Sequence, residues 1–259
     1  MLDDKSLLEL CVRVSGGFEN GGGASYTSIT GNFDGQGLSV GILQWNAGQG
    51  TLQHLLQSIG LKMGWDKAQT FFSSDIHHLS VLAPADAIQF CLDHYITTGS
   101  THVDTGAEGK WRAFLAQPES IAAQLELASN GVMSRAKTLV SQFCPDYTDR
   151  IRPYAFFFDL VTQSGGMQNK RGHVDPFAGT PDVSSVLVYT NQNHAAVSAM
   201  WNQATTGDDL AKLLLYYAFM RSNLSDPQYV WDALSRRGSI ACRVGIVHGA
   251  KIDFTSVLD

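Results

Sequence analysis

The sequence predicts a mainly helical protein with one small β element placed early, an α+β arrangement. Three observations carry this. Apolar residues recur at helical spacing through most of the 259 residues. Only the stretch from Gly21 to Gly50 is rich in glycine, serine and threonine and holds a β-prone run, Tyr26-Thr27-Ser28-Ile29-Thr30. The composition is 44% hydrophobic and 16% charged, which suits a folded domain with a sizeable core. A helical mass beside a small β part is the arrangement of two lobes around a cleft, with residues 1–259 as one domain and the β part at about 21–46.

Taken in order, Leu7, Leu8, Cys11, Val12 and Val14 predict an amphipathic helix over residues 3–15, stopped by Gly16-Gly17. The β-prone run and a turn at residues 32–37 predict a hairpin. Helices are expected over 51–61, 84–96, 107–116 and 118–128, with Pro84 and Pro118 near helix starts, where a missing N–H costs nothing. Further helices are expected over 135–143, 149–163, 183–201, 208–222 and 227–237, and Thr148 is a candidate N-cap. Residues 165–180 read as a long loop, and the segment from 238 to 259 as irregular.

Charge and cysteine content narrow the function. A net charge of -6 argues against a nucleic-acid binder, which needs a basic face. No run reaches the roughly 18 apolar residues of a membrane span. The acidic start Met1-Leu2-Asp3-Asp4-Lys5 lacks the pattern of a cleavable signal. The expectation is a protein made in the cytoplasm that acts in the periplasm or cell wall after delivery. Cys11, Cys91, Cys144 and Cys242 form no C-x-x-C pair and sit among apolar residues; buried free thiols are expected, with one disulfide left open. The eight histidines show no zincin spacing, and no EF-hand is present, so neither a metal nor a cofactor is expected, although Asp75 and Asp104 lie in loops able to hold a cation.

Two carboxylates stand out. Glu19 follows Phe18 and precedes Asn20-Gly21-Gly22-Gly23. A carboxyl beside an aromatic wall has its ionised form disfavoured, as a general acid requires, and the glycines allow a polymer to approach the backbone. The plainer alternative is an exposed glutamate at a helix end. Asp34 opens Asp34-Gly35-Gln36-Gly37, across the expected hairpin. Glycosidic cleavage uses two such carboxyls on opposite sides of one bond.

Three stretches together resemble the family 46 chitosanases of the lysozyme-like superfamily of glycoside hydrolases. They are Phe18-Glu19-Asn20 with Asp34-Gly35-x-Gly37-x-Ser39-x-Gly41-Ile42; Phe156-Phe157-Phe158-Asp159 running into Gly165; and Arg237-x5-Arg243 followed by Gly249 and Asp253. The resemblance covers both ends and the middle of the chain. It implies a lysozyme-like two-lobed fold with the β-hairpin lining the cleft. Glu19 would be the general acid, Asp34 the second carboxylate, and Ser39, where the family has threonine, would help hold the attacking water. Behind the acid the family carries a buried ionic network. Carried over by position, Asp159 would pair with Arg237, with Arg243 or Arg221 as further members.

Residues 37–46 also resemble the Gly-Leu-x-Gln segment of peptidoglycan-cleaving enzymes. Gln44 and Asn46 offer amides to N-acetyl and hydroxyl groups, Trp45 offers a ring face, and Asn20 adjoins the acid. Between residues 16 and 60 the acids are Glu19 and Asp34, a depletion that favours a neutral N-acetylated glycan over cationic chitosan. The expected function is therefore a muramidase cleaving the β-1,4 bond between N-acetylmuramic acid and N-acetylglucosamine, acting as a phage lysin or an antibacterial effector. An effector would have an immunity protein as partner. Chitosanase, lytic transglycosylase and a non-catalytic glycan-binding domain are the alternatives.

Overall fold

The computed structural model describes residues 3–19, 25–167, 195–222, 224–225 and 229–259. The chain divides into two compact units: residues 1–22 with 131–259, and residues 23–130.

The second unit begins with three two-residue strands, β1 (Ile29–Thr30), β2 (Ser39–Val40) and β3 (Trp45–Asn46). They form an antiparallel meander in which Ile29 faces Val40, and Val40 faces Trp45. The expected hairpin is thus extended by a third strand. Six helices follow: α2 (Thr51–Met63), α3 (Trp65–Gln69), α4 (Ile76–Leu79), α5 (Pro84–His94), α6 (Thr105–Leu115) and α7 (Pro118–Leu127). Pro84 and Pro118 both stand in the first turn, as expected. The core joins Leu38 and Val40 of the β part to Leu52, Leu55 and Ile59 of α2, and to Phe72, Trp111 and Phe114. Asp75 and Asp104 are helix caps: Asp75 accepts from the His78 N–H at 2.9 Å, and Asp104 from those of Gly106 and Ala107 at 2.9 and 3.0 Å. Their side chains are committed to capping, and no cluster of potential metal ligands occurs among the described residues.

The first unit opens with α1 (Asp4–Glu19). Contrary to the sequence expectation, this helix runs through Gly16-Gly17. Two glycines cost helix stability, but Phe18 beyond them is buried, and its packing carries the helix on. A π-helical turn, Ala128–Met133, leads into α8 (Ser134–Phe143). Then come α9 (Arg152–Ser164), α10 (Ala195–Thr205), α11 (Asp209–Ser222) and α12 (Val230–Cys242). The segment expected to be irregular forms a hairpin, β4 (Val244–Val247) with β5 (Ala250–Asp253), pairing Val244 with Asp253. Its sequence carries no strict alternation, so the pattern hid it. Helix α9 packs against α1, α8 and α12, and is apolar nearly all round, as a central helix must be. The expected helix over 183–201 and loop over 165–180 lie partly outside the described residues.

Thr148 is not the N-cap of α9, which starts at Arg152. The N–H groups of Ile151 and Arg152 instead donate to Oδ1 of Asp259, at 2.7 and 3.0 Å. All four cysteines are free and buried. Burial pushes the thiols of Cys91 and Cys144 up to about 12, and those of Cys11 and Cys242 up as well, so they are unreactive.

Candidate active site

Glu19 is the last residue of α1, and Asn20 lies outside the described residues. Directly before Glu19 stands Phe18. Phe18 is buried, meets Phe254 edge-on at 5.9 Å between ring centres, and carries the guanidinium of Arg236 over its face at 5.0 Å. Such a cation–π contact is worth most where water is excluded, and Arg236 is 2% exposed.

Arg236 is also the ion partner of Asp159. Its Nη2 donates to Asp159 Oδ1 at 2.7 Å, and Asp159 is fully buried in α9. The sequence expectation that Asp159 pairs with Arg237 is therefore corrected by one residue. Arg236 and Arg237 are adjacent on a stretch of α12 buried on every side, so helical phase gave no means to choose between them. Arg237 donates instead to Gln163 Oε1 at 2.8 Å and Ser164 Oγ at 2.5 Å. Burial pulls its guanidinium down to about 10; the charges of Arg221 and Arg236 add to that, and Asp159 and Asp232 oppose it.

Arg243 belongs to a different cluster. It caps α12 in the left-handed conformation and approaches Asp208 at 3.8 Å. Asp208 is gripped more closely by Arg152, through Nη1 at 2.8 Å and Nη2 at 3.1 Å. Arg221 turns to the carbonyls of Gly166 and Ser164, at 2.9 and 3.3 Å. The membership of Arg243 and Arg221 expected from the resemblance thus becomes two separate tasks: a carboxylate clamp, and a cap on the end of α9.

In the second unit, Asp34 is exposed and its Oδ1 accepts the Gln36 N–H at 3.1 Å, fixing the Asp-Gly turn. Ser39 is on β2, nearly buried, between Thr30 and Asn46. Gln44 has a positive φ of 54° and donates to Ser28 Oγ and the Gly41 carbonyl, at 3.0 and 3.1 Å. Asn46 accepts from the Gln49 N–H at 2.8 Å and exchanges backbone bonds with the Thr51 hydroxyl. Trp45 is half-buried against the core. These amides shape the β part directly.

Sequence reading missed Gln124. This fully buried side chain on α7 accepts the Ile42 N–H at 3.0 Å and donates to the Tyr26 carbonyl at 3.1 Å, so it ties the meander to the helices. A Cβ on Gly41 would stand 2.6 Å from Gln124 Oε1 and φ there is +77°, so only glycine fits. Its sole sequence signal was a glutamine inside an apolar helix.

The described residues define a lysozyme-like, α-rich fold with small antiparallel strand pairs. Among solved structures, a native chitosanase from Bacillus subtilis MY002 aligns with a TM-score of 0.55 and 15% identity, over 93% of this chain and 88% of that one. A glutamate-to-alanine mutant of that chitosanase, complexed with 6 GlcN, aligns equally well. A GH46 chitosanase from Gynuella sunshinyii, in complex with chitotetraose, aligns with a TM-score of 0.51 and 12% identity over the same shares. No family model and no curated protein matches the sequence.

Proposed function

We propose that the chain is a lysozyme-like glycoside hydrolase acting on a β-1,4-linked amino-sugar polymer, as one catalytic domain. The observation that carries the reading is the buried assembly immediately before Glu19: Asp159 holds Arg236, Arg236 covers Phe18, and Phe254 closes its other contact. A catalytic side chain needs support of this kind to keep one orientation. The likeness of the fold to chitosanases supports the same chemistry.

In this reading Glu19 protonates the glycosidic oxygen as the bond breaks. Asp34 takes a proton from the attacking water, and the Ser39 hydroxyl orients that water. Gln44 and Trp45 would border the sugar path, with Asn20 next to the acid in sequence, while the buried Asn46 shapes the turn beneath them through the Gln49 N–H. No step requires a metal or cofactor.

For the substrate, we favour the bond between N-acetylmuramic acid and N-acetylglucosamine in peptidoglycan. From residue 25 to 60 the chain carries a single acid, Asp34, which leaves little to meet the ammonium groups of chitosan. Such an enzyme would work in the cell wall, as a phage lysin or an antibacterial effector with an immunity protein as its partner. The second reading is a chitosanase, favoured by the glucosamine oligomers recorded with the structural neighbours.

The test is digestion of purified peptidoglycan and, separately, of chitosan, with product ends identified by mass spectrometry. Muropeptides with reducing ends are expected from peptidoglycan, and Glu19→Gln abolishes their release without changing the melting temperature. Glucosamine oligomers would move the assignment to chitosanase, and anhydro ends to a lytic transglycosylase. Glycan binding with no product from either polymer would make the chain a binding module.

A further inference from the structure

The loop between β1 and β2 presents an aromatic ring that no role so far explains. Phe33 is 60% exposed and is the one phenylalanine among the exposed large hydrophobic residues described. A single exposed apolar side chain is ordinary on a protein surface, so exposure alone carries nothing. What singles out Phe33 is the rigidity of its mounting and its place beside Asp34.

The mounting is built from both sides. Gly31 lies so close to the Thr101 carbonyl that a Cβ there would stand 2.0 Å from the oxygen. The Asn32 N–H donates to that carbonyl at 2.8 Å, and Asn32 Oδ1 accepts the Gly37 N–H at 2.7 Å. Asp34 closes the tip through Gln36. The opposing turn is itself tied, Thr97 N–H to the His102 carbonyl at 2.9 Å and His102 N–H to Ser100 Oγ at 3.0 Å. The His102 ring meets the Phe33 ring edge-on, with centres 5.1 Å apart and planes at 79°. These bonds place Phe33 at the tip of the turn, with its ring outside the core and against His102.

We infer that Phe33 is a stacking platform for one pyranose ring of the glycan, buttressed by His102, at a subsite next to Asp34. The proposal rests on the glycosidase reading above. The flat C–H face of a pyranose is weakly positive and apolar, and it matches the negative face of an aromatic ring. The edge contact with His102 already restrains the ring, which lowers the side-chain freedom lost when a sugar settles on it.

The experiment uses Glu19→Gln protein, which cannot turn over substrate, titrated calorimetrically with the hexamers of N-acetylglucosamine and of glucosamine. Adding Phe33→Ala is expected to weaken binding of the preferred hexamer roughly tenfold, as loss of an anchoring aromatic does. Phe33→Trp keeps the affinity. The His102 ring resonances should shift on adding the hexamer, and should no longer do so with Phe33→Ala. Since Phe33 is exposed, the melting temperature serves as the folding control. Equal affinity with phenylalanine and alanine overturns the platform while leaving the glycosidase reading intact. Absence of hexamer binding together with absence of wild-type products overturns both.

Discussion

In residues 23–130 the buried core is neutral. Trp111, Phe72, Phe114 and Tyr95 interlock edge to face, and the buried polar side chains are Ser39, Asn46, Gln53, Ser80, Ser120 and Gln124. The unit formed by residues 1–22 and 131–259 buries charge instead. Among its described residues Arg152, Arg221, Arg236 and Arg237 lie in the interior, against one buried carboxylate, Asp159. Arg152 also holds the partly exposed carboxylate of Asp208, Arg237 turns to the side chains of Gln163 and Ser164, and main-chain carbonyls at the end of α9 take further donors. The carbonyls of Ser164 and Gly166 accept from Arg221, and that of Gly165 from Arg135. Asp259 sits at the other end of the helix. Helix α9 has no acid in its first turn and no base in its last, so its macrodipole is met entirely by residues remote in sequence. One unit is held by shape, the other by shape and by charges placed at long range.

The sharpest way to break this contrast is Asp159→Ala. It leaves Arg236 buried without its carboxylate, and removing one member of a buried pair costs about 3 to 5 kcal/mol. Chemical denaturation should show a loss of that size, with activity falling too. The double variant Asp159→Leu/Arg236→Met should recover most of the stability, because apolar replacement of a whole pair is often neutral, but not the activity if the pair orients Glu19. A loss below about 1 kcal/mol for Asp159→Ala would mean that the interior charge is not a holding element.

Asp208 is next. Burial raises its pKa, but the hydrogen bonds from Arg152 and the Ala211 N–H, with the charges of Arg152 and Arg243, outweigh it and hold the carboxyl below its usual value. The folded pKa thus lies under the unfolded one of about 3.9. The stabilisation is fully present above pH ~4 and is lost as pH falls through the folded value. Asp208→Asn should cost about 2 kcal/mol at neutral pH, in the range for hydrogen bonds to charged groups. Melting temperatures followed from pH 6 to pH 2 should fall less steeply for the variant than for the wild type. Parallel acid limbs would place the acid sensitivity elsewhere.

The neutral unit offers the matching case. Gln124→Ala removes the partners of the Ile42 N–H and the Tyr26 carbonyl, and should cost about 1 to 2 kcal/mol. No ionisable group takes part, so the loss should be the same at pH 4 and pH 8. A loss that varies with pH would show the β part coupled to charges that its core does not contain.

How far the sequence revealed all this follows the same divide. The longer helices α2, α5, α6 and α7 were legible because a neutral core leaves a plain apolar period, and Pro84 and Pro118 marked the starts of α5 and α7; the short α3 and α4 hold too few residues to show a period and were not foreseen. Asp159 was legible as a charge among phenylalanines. Its partner was not, since Arg236 and Arg237 are both enclosed and only the turn of α12 relative to α9 selects one. The run of α1 through Gly16-Gly17 was hidden for a similar reason. Local propensity argued for a stop, and the decisive contacts of Phe18 come from residues more than 200 positions away. Gln124 and Asp259 act on backbone groups, which leave no mark in a side-chain pattern.

Asp259 gives the smallest and most local test. Its Oδ1 takes the N–H groups of Ile151 and Arg152, two of the donors that the first turn of α9 cannot satisfy within the helix. A carboxylate there also meets the positive end of the helix dipole. Loss of such a cap costs about 1 kcal/mol, equivalent to roughly 2 to 4 °C in melting temperature for a domain of 150–250 residues. Asp259→Asn keeps an acceptor and loses only the charge, so it should recover part of the loss seen with Asp259→Ala, and the remaining difference should shrink in high salt. If alanine and asparagine melt together, the N-terminus of α9 draws its support from packing by Pro153 and Phe156 instead, and the electrostatic account of this helix would be confined to its other end.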